Sequence, residues 1–330
     1  MNKNLKKTTI AATLIVILSA IFLSGCTNNQ DDGKIIQYGG QYYPGEFLLE
    51  GYDFWSNYDL EVEHILFSSG SENNQAIISG DIDINCGSDS KTVSLFTAIP
   101  DQAVIIGTLQ KGDRYSTVVR TDSTYQSWED LKGKTVGTRL GTGAEQVLRR
   151  YFEENETLSW DDYDWVNINL EDMISSLNGG SIEAFTAWEP TPGIAEAQGI
   201  GRIMRTFGDI ALVPVSIHTT LDYAENHHDE IVKFLAAQLD KADMIKNNPA
   251  QAAEYAAQAA NQYGSEVSAE AFLNIFNRIN FSIDFNEQVL ASINDTGQFL
   301  YDQGKIESIP TIRWDKSYLE DAITLREQKD

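Results

Sequence analysis

Cysteine, histidine and basic residues are scarce in this sequence, and each shortage removes a class of function. Only Cys26 and Cys86 occur in 330 residues. Cys26 follows an N-terminal leader, so Cys86 has no partner and a disulfide framework is excluded. Cys86 closes an apolar strand pattern in "DIDINCGSDS" and is expected to be a small core residue, not a reactive thiol. The four histidines are His64, His218, His227 and His228. None stands in a nucleophile pattern, and the His227-His228 pair in "ENHHDE" lacks the HExxH spacing of a metal helix. GxSxG, GxGxxG and the Walker-type GxxxxGK are absent too, so catalysis, a metal and a nucleotide cofactor are not expected. Against 49 acidic residues the chain sets 24 basic ones, a net charge of -25. Such a surface repels phosphate and excludes nucleic acid as a partner.

Long apolar runs are also missing, apart from one at the start. Ile10 to Leu23 is almost wholly apolar, follows Lys3, Lys6 and Lys7, and ends in "LSGC". At roughly 14 residues it falls short of the roughly 20 that span a bilayer. It reads as a secretory signal over residues 1–25, whose removal takes the net charge to -28. The alternative is an uncleaved anchor helix. "LSGC" resembles a lipobox, which makes Cys26 the expected lipidation site and places the protein at the outer face of a cell membrane. Residues 26–33, polar and ending in glycine, read as a flexible tether.

What the remaining chain does contain is alternation of strands and helices. "KIIQY", "LEVEHILF", "DIDINC", "QAVIIGTLQ" and "YSTVVRTD" have strand character, with helices predicted after Pro44-Gly45, with Phe47, Leu48 and Leu49 on the apolar side, from Ser69 or Ser71 to Gly80, and at "KTVSLFTAI". A second set follows: a short helix capped by Ser127, the strand "KTVGTRL", the helix "GAEQVLRRYFEEN", then "DWVNIN", "LEDMISSLNGG", "IEAFTAW", "TPGIAEAQG" and "GRIMRTF". Ala211 to Ile217 reads as one more strand, and serial helices complete the chain, with Ser268 and Asp284 as N-caps. This pattern predicts an α/β fold of two lobes. Crossings are expected in "STVVRT" and "PVSIHT", giving one lobe from 34–117 with 218–330 and a second from 118–217. The cleft between them is expected at the carboxyl ends of the strands.

Several strand-end loops are rich in Gly, Ser and Thr: "GGQYYPG", "CGSDS" and "LGTGAE". Bare amides at a helix start favour an oxyanion, and Ser88 and Thr142 add hydroxyls. The competing reading of "TGAE" is a capping box, Thr142 with Glu145, in which the chain satisfies its own amides. In "FTAWEPTPG", Trp188 offers a flat face and Glu189 an acceptor; the alternative is that Trp188 fills the core and Glu189 is solvated. One of Tyr42 and Tyr43 is expected to face the cleft. Arg139 offers charge for an anion, or pairs with a surface acid.

Five stretches together resemble the solute-binding proteins of ABC transporters, in the group for aliphatic sulfonates, taurine, nitrate and thiamine precursors. They are "YGGQYYPGEFLLEGYDFW", "EVEHILFSSGSENNQAIISGDIDINCGSDS", "SWEDLKGKTVGTRLGTGAEQVL", "GSIEAFTAWEPTPG" and "GKIESIPTIRWDKSYLEDA". The resemblance implies a two-lobe, type II-like periplasmic-binding-protein fold, with lobes joined by two crossing strands. It also implies a monomer that closes on a small-molecule solute and delivers it to an ABC permease in the membrane. It implies ligand contacts from Gln41, Tyr42, Ser88, Asp89, Thr142, Gly143, Trp188 and Glu189, the glycines letting the ligand's polar head reach the helix start; Arg139, read from its place at a strand end, joins this set. Asp89 and Glu189 set acids beside an anion site, which suits a sulfonate bearing an amine. A heteroaromatic vitamin precursor would use the same acids with the tyrosines. A ligand sensor that signals without transport and a pyrimidine-making enzyme of the same fold are the remaining alternatives.

Overall fold

The computed structural model describes residues 35–264 and 267–329. Cys26, the leader and the tether lie outside them. Ten strands in the described residues form two five-stranded sheets. The first contains β1 (Ile36–Gln41), β2 (Val62–Phe67), β3 (Ile84–Ser88), β4 (Ala103–Gln110) and β10 (Val215–Thr220), in the order β2-β1-β3-β10-β4. The second contains β5 (Tyr115–Arg120), β6 (Thr135–Thr138), β7 (Asp164–Asn167), β8 (Ala184–Trp188) and β9 (Gly201–Thr206), in the order β7-β6-β8-β5-β9. In each, three neighbouring strands run parallel and the fourth in the order is antiparallel to the strands beside it.

The chain passes between the sheets in the segments that precede the two antiparallel strands. β5 pairs wholly within the second sheet and β10 wholly within the first, so the passages fall at residues 111–114 and 207–214. The boundaries read from the sequence, after residues 117 and 217, lie inside these two strands. Val213 has a φ of 38° and Pro214 follows it, which delays β10 to Val215.

Strand periodicity feeds a core on both faces of each sheet. Val119 and Ala184 enter one core of the second sheet with Trp128, Phe152 and Tyr163, whereas Val118 and Phe185 enter the other with Met173 and Leu177. The first sheet is covered on one face by the helices Pro44–Gly51, His228–Asn247, Pro249–Gln262 and Ala269–Arg278, around Tyr38, Cys86 and Phe234. Ile77, Phe96, Val289 and Ile293 fill the opposite face. Cys86 is fully buried, as expected.

Local signals placed most helix ends. Ser69 and Glu72 form a capping box at the start of Gly70–Ser79, which stops at Gly80 in the left-handed conformation (φ 80°). Ser268 caps Ala269–Arg278. Two expectations shift. Asn286, not Asp284, caps Glu287–Asp302, because the Asp284 carboxylate accepts from Lys111 Nζ at 2.8 Å. The helix expected after Ser127 is one 3-10 turn, Glu129–Leu131.

A buried ionic chain ties the first helix to its neighbours. Glu46 lies 2.9 Å from His64 Nε2 and 3.7 Å from Lys241 Nζ. His64 Nδ1 contacts Glu50 Oε1 at 2.7 Å, and Tyr263 Oη donates to Glu50 Oε2 at 2.8 Å. Burial pulls the His64 pKa down, but the two carboxylates outweigh it and raise the pKa above the ordinary value. A raised folded-state pKa stabilises fully below the unfolded value of about 6.5 and loses that contribution as pH rises through the folded pKa. Thermal midpoints measured upward from pH 6 should therefore fall across this window. His64→Gln should flatten that part of the profile; an unchanged slope would exclude His64 as its source.

Candidate functional site

The loops at the carboxyl ends of β1, β3, β6 and β8 enclose a cleft of about 1070 Å³ between the two sheets. The first sheet contributes Gln41, Tyr42, Ser88 and Lys91, and the second contributes Arg139, Thr142, Gly143 and Trp188. Seven of the nine residues expected at the site thus line one cavity. Gln41 Nε2 donates to Cys86 O at 3.1 Å, which holds the loop after β1 against β3. Both Tyr42 and Tyr43 line the cleft, where one of the pair was expected. Trp188 is partly exposed and packs against cores of both sheets, with its ring 6.4 Å from that of Tyr115 in an edge-to-face arrangement.

Asp89 and Glu189 do not line the cleft, and the expectation of two acids beside a bound anion is corrected. Asp89 is fully buried; its carboxylate accepts from Thr296 Oγ1 at 2.7 Å and from Ser90 N at 2.8 Å. Glu189 is 1% exposed, pairs with Arg278 and accepts from Gly193 N at 2.9 Å. Burial raises both carboxyl pKa values, against the pull of Thr296 and Arg150 on Asp89 and of Arg278 on Glu189. Both groups tie elements together inside the protein.

Both glycines of the "GTG" turn have causes within the protein. Gly141 adopts a φ of 75°, which favours glycine. A Cβ on Gly143 would lie 2.1 Å from Tyr115 Oη and 2.8 Å from its Cζ, so the bare position makes room for a protein phenol. The expectation was that the glycines let a ligand's polar head approach the helix start; the phenol is a further reason for a bare position at 143. Thr142 Oγ1 accepts from Ala144 N at 3.3 Å and donates to Arg139 O at 2.6 Å, while Glu145 Oε2 accepts from Gly141 N at 2.7 Å. The capping reading therefore holds in part: Thr142 and Glu145 each take one amide, and neither takes that of Gly143. Gly143→Ala should displace Tyr115 and cost about 1–3 kcal/mol of stability. A thermal melt with an unchanged midpoint would contradict this packing.

Sequence reasoning missed Lys91, Tyr115 and Tyr263. Lys91 Nζ donates to Ser71 Oγ at 3.0 Å and, across the cleft, to Gly141 O at 3.4 Å. Burial pulls its pKa below the usual lysine value. Arg139 Nη1 donates to Asn169 Oδ1 at 2.6 Å. Among the described residues, neither cation has a carboxylate within ion-pair distance. Glu72 and Glu171 also line the cleft, but Glu72 is held in its capping box by Ser68 Oγ and Ser69 N. Six aromatic residues complete the walls: Tyr42, Tyr43, Phe47, Tyr115, Trp188 and Tyr263. The signal for Lys91 was present, as a rare cation three residues beyond a Gly-Ser strand end.

Cys86 and His218 are fully buried. Burial pushes the Cys86 thiol up and pulls His218 down to about 3, leaving both uncharged at neutral pH. Among the described residues there is no group of acids, histidines and cysteines that could hold a metal, and no helix long and apolar enough to cross a membrane.

A family profile described as NMT1/THI5 like matches residues 50–252. YtlA of Bacillus subtilis (strain 168), named as a candidate binding protein, is 24% identical over 215 residues; the match spans 64% of each chain. The periplasmic aliphatic sulphonate binding protein SsuA of Escherichia coli superposes with a TM-score of 0.71 at 19% identity, over 86% of this chain and 94% of that one. The desulfurization enzyme DszB, solved as a point mutant in complex with biphenyl-2-sulfinic acid, superposes with a TM-score of 0.67 at 15% identity, over 88% of this chain and 99% of that one. The chain has the periplasmic-binding-protein fold expected from its sequence.

Proposed function

This chain belongs to the NMT1/THI5-like family, and on that premise we propose that it is the extracytoplasmic solute-binding component of an ABC importer, taking a small anion in the cleft between its sheets. The solute class is a sulfonate, taurine or a nitrate-like ion. One observation carries the reading. In a chain of net charge -25, Lys91 and Arg139 stand in the cleft without a carboxylate partner among the described residues. An unpaired, partly desolvated cation favours a ligand that supplies the missing charge. The sulphonate named for SsuA supports the same class. The acid that would meet an amine passes from Asp89 and Glu189 to Glu171, which lines the wall.

Closure follows from where the contacts lie. A solute held by residues of both sheets binds the closed arrangement more tightly than the open one and shifts the population toward it. Lys91, already bonded to Gly141 O across the gap, is placed to report that closure. We read the protein as a binder, not an enzyme, although DszB shares the fold. Neither Cys86 nor His218 reaches the cleft. Delivery is to a membrane permease, and the protein acts as a monomer held by a lipid on Cys26. Cys26→Ser should move it from the membrane fraction to the soluble fraction of cells; retention on the membrane would remove the lipid anchor.

The six aromatic walls favour a second reading, a heteroaromatic vitamin precursor of thiamine pyrimidine or riboflavin type. A thermal-shift screen of the mature chain separates the two. Taurine, alkanesulfonates and nitrate are one arm, and riboflavin and pyrimidine precursors the other. At a hundredfold excess over its Kd the correct solute adds about 2.7 kcal/mol, a rise of about 4 °C for a chain of this size. A rise with the vitamins alone would overturn the anion reading.

A further inference from the structure

Arg114 sits in the passage between β4 and β5 and is 1% exposed. Its Nε and Nη1 have no hydrogen-bond partner among the described residues, and no carboxylate lies within ion-pair distance of it. Nη2 donates to Tyr115 Oη at 3.4 Å. The guanidinium lies over the rings of Tyr43 and Tyr115, 5.4 Å and 5.1 Å from their centroids. Those rings line the cleft and Arg114 stands behind them. A buried guanidinium carries five N–H donors, and leaving two edges empty is rare without a further partner. Asp89 influences it only at a distance, with its oxygens committed to Thr296 and Ser90.

Tyr115 connects this charge to the solute. Its Oη occupies the space above Gly143, at the first turn of the helix Gly143–Glu153. Because the oxygen accepts from Arg114, its own proton is available for donation. Burial outweighs Arg114 and raises the Tyr115 pKa, so the phenol stays a donor at neutral pH. Ser88 lies beside it on the opposite sheet.

We propose that Ser88 Oγ, Tyr115 Oη and the Gly143 amide form the seat of the solute's anionic oxygens, and that Arg114 behind them is the positioning charge that selects an anionic head over a neutral one. This rests on the anion reading above and locates its selectivity. Lys91 and Arg139 attract and close; Arg114 discriminates, because its field acts through low-dielectric protein where solvent does not screen it.

The test is calorimetric titration with ethanesulfonate and with ethyl methyl sulfone, its uncharged counterpart. The wild-type protein should prefer ethanesulfonate. Arg114→Met should lose about tenfold or more in ethanesulfonate affinity and leave sulfone binding unchanged, and Arg114→Lys should recover most of the loss. Tyr115→Phe should lose several-fold for the anion and less for the sulfone, whose oxygens are weaker acceptors, and it decides the question if Arg114→Met does not fold. Folded variants that keep the wild-type preference would overturn the seat while leaving the anion reading intact. A wild-type protein that binds no anion, but shifts with a vitamin precursor, would overturn the anion reading and the seat with it.

Discussion

Trp188→Ala should weaken capture of the solute roughly 30-fold or more, about 2 kcal/mol, the loss typical of a central aromatic anchor. Trp188 is placed for such an effect. It ends β8, faces the cavity and rests on cores of both sheets, so a guest against its indole contacts the part of the second sheet nearest the first. Thr142→Ala is the control. Thr142 caps its helix through Ala144 N, so the change should cost about 1 kcal/mol of stability. Its effect on affinity should be only a few-fold, because the Gly143 amide is untouched. Titration of both variants decides the matter. Equal, negligible losses would remove the site assignment, and a larger loss from Thr142→Ala would move the anchor from the indole to the helix start.

Glu46→Ala should destabilise the protein by about 3–5 kcal/mol, the largest stability effect expected here. Glu46 stands between two buried cations, Lys241 and His64, each largely hidden from water. Burial opposes its charge, yet Lys241 and His64 outweigh that and hold the carboxyl pKa below its ordinary value. Removal leaves two cations facing a cavity. Lys241 is left with Gln238 as its partner. Glu46→Gln, which keeps the shape and an acceptor oxygen, should cost less. Chemical denaturation at pH 7 reads both. A midpoint unchanged in Glu46→Ala would mean that Lys241 and His64 discharge by losing their protons, and that no ionic chain exists.

Much of this was legible from particular residues. The Gly-Ser-Thr loops at Ser88 and Thr142 marked strand ends because their glycines and hydroxyls serve helix starts, and those ends meet in one cleft. Ser69 with Glu72 and the terminal Gly80 fixed a helix before any packing was known. Asp89 and Glu189 show where such reading stops. Both stand beside cleft residues in the chain, but a helix start turns alternate side chains away from the strand-end surface, and Thr296 and Arg278 claim them from helices some 90–200 residues away in the sequence. Nothing local encodes those partners. Gly143 has a second cause that no neighbouring residue encodes, because the phenol that fills the space of its missing Cβ comes from β5. Arg114 carried no motif, and its importance arises from burial between two tyrosines that only folding brings together.

The most direct measurement is calorimetric titration of the mature protein with taurine, ethanesulfonate and nitrate, in parallel with Trp188→Ala. The expected result is saturable one-to-one binding of at least one of these anions, weakened by the substitution. Absence of heat with all three, or binding that Trp188→Ala leaves untouched, would contradict an anion held in this cleft.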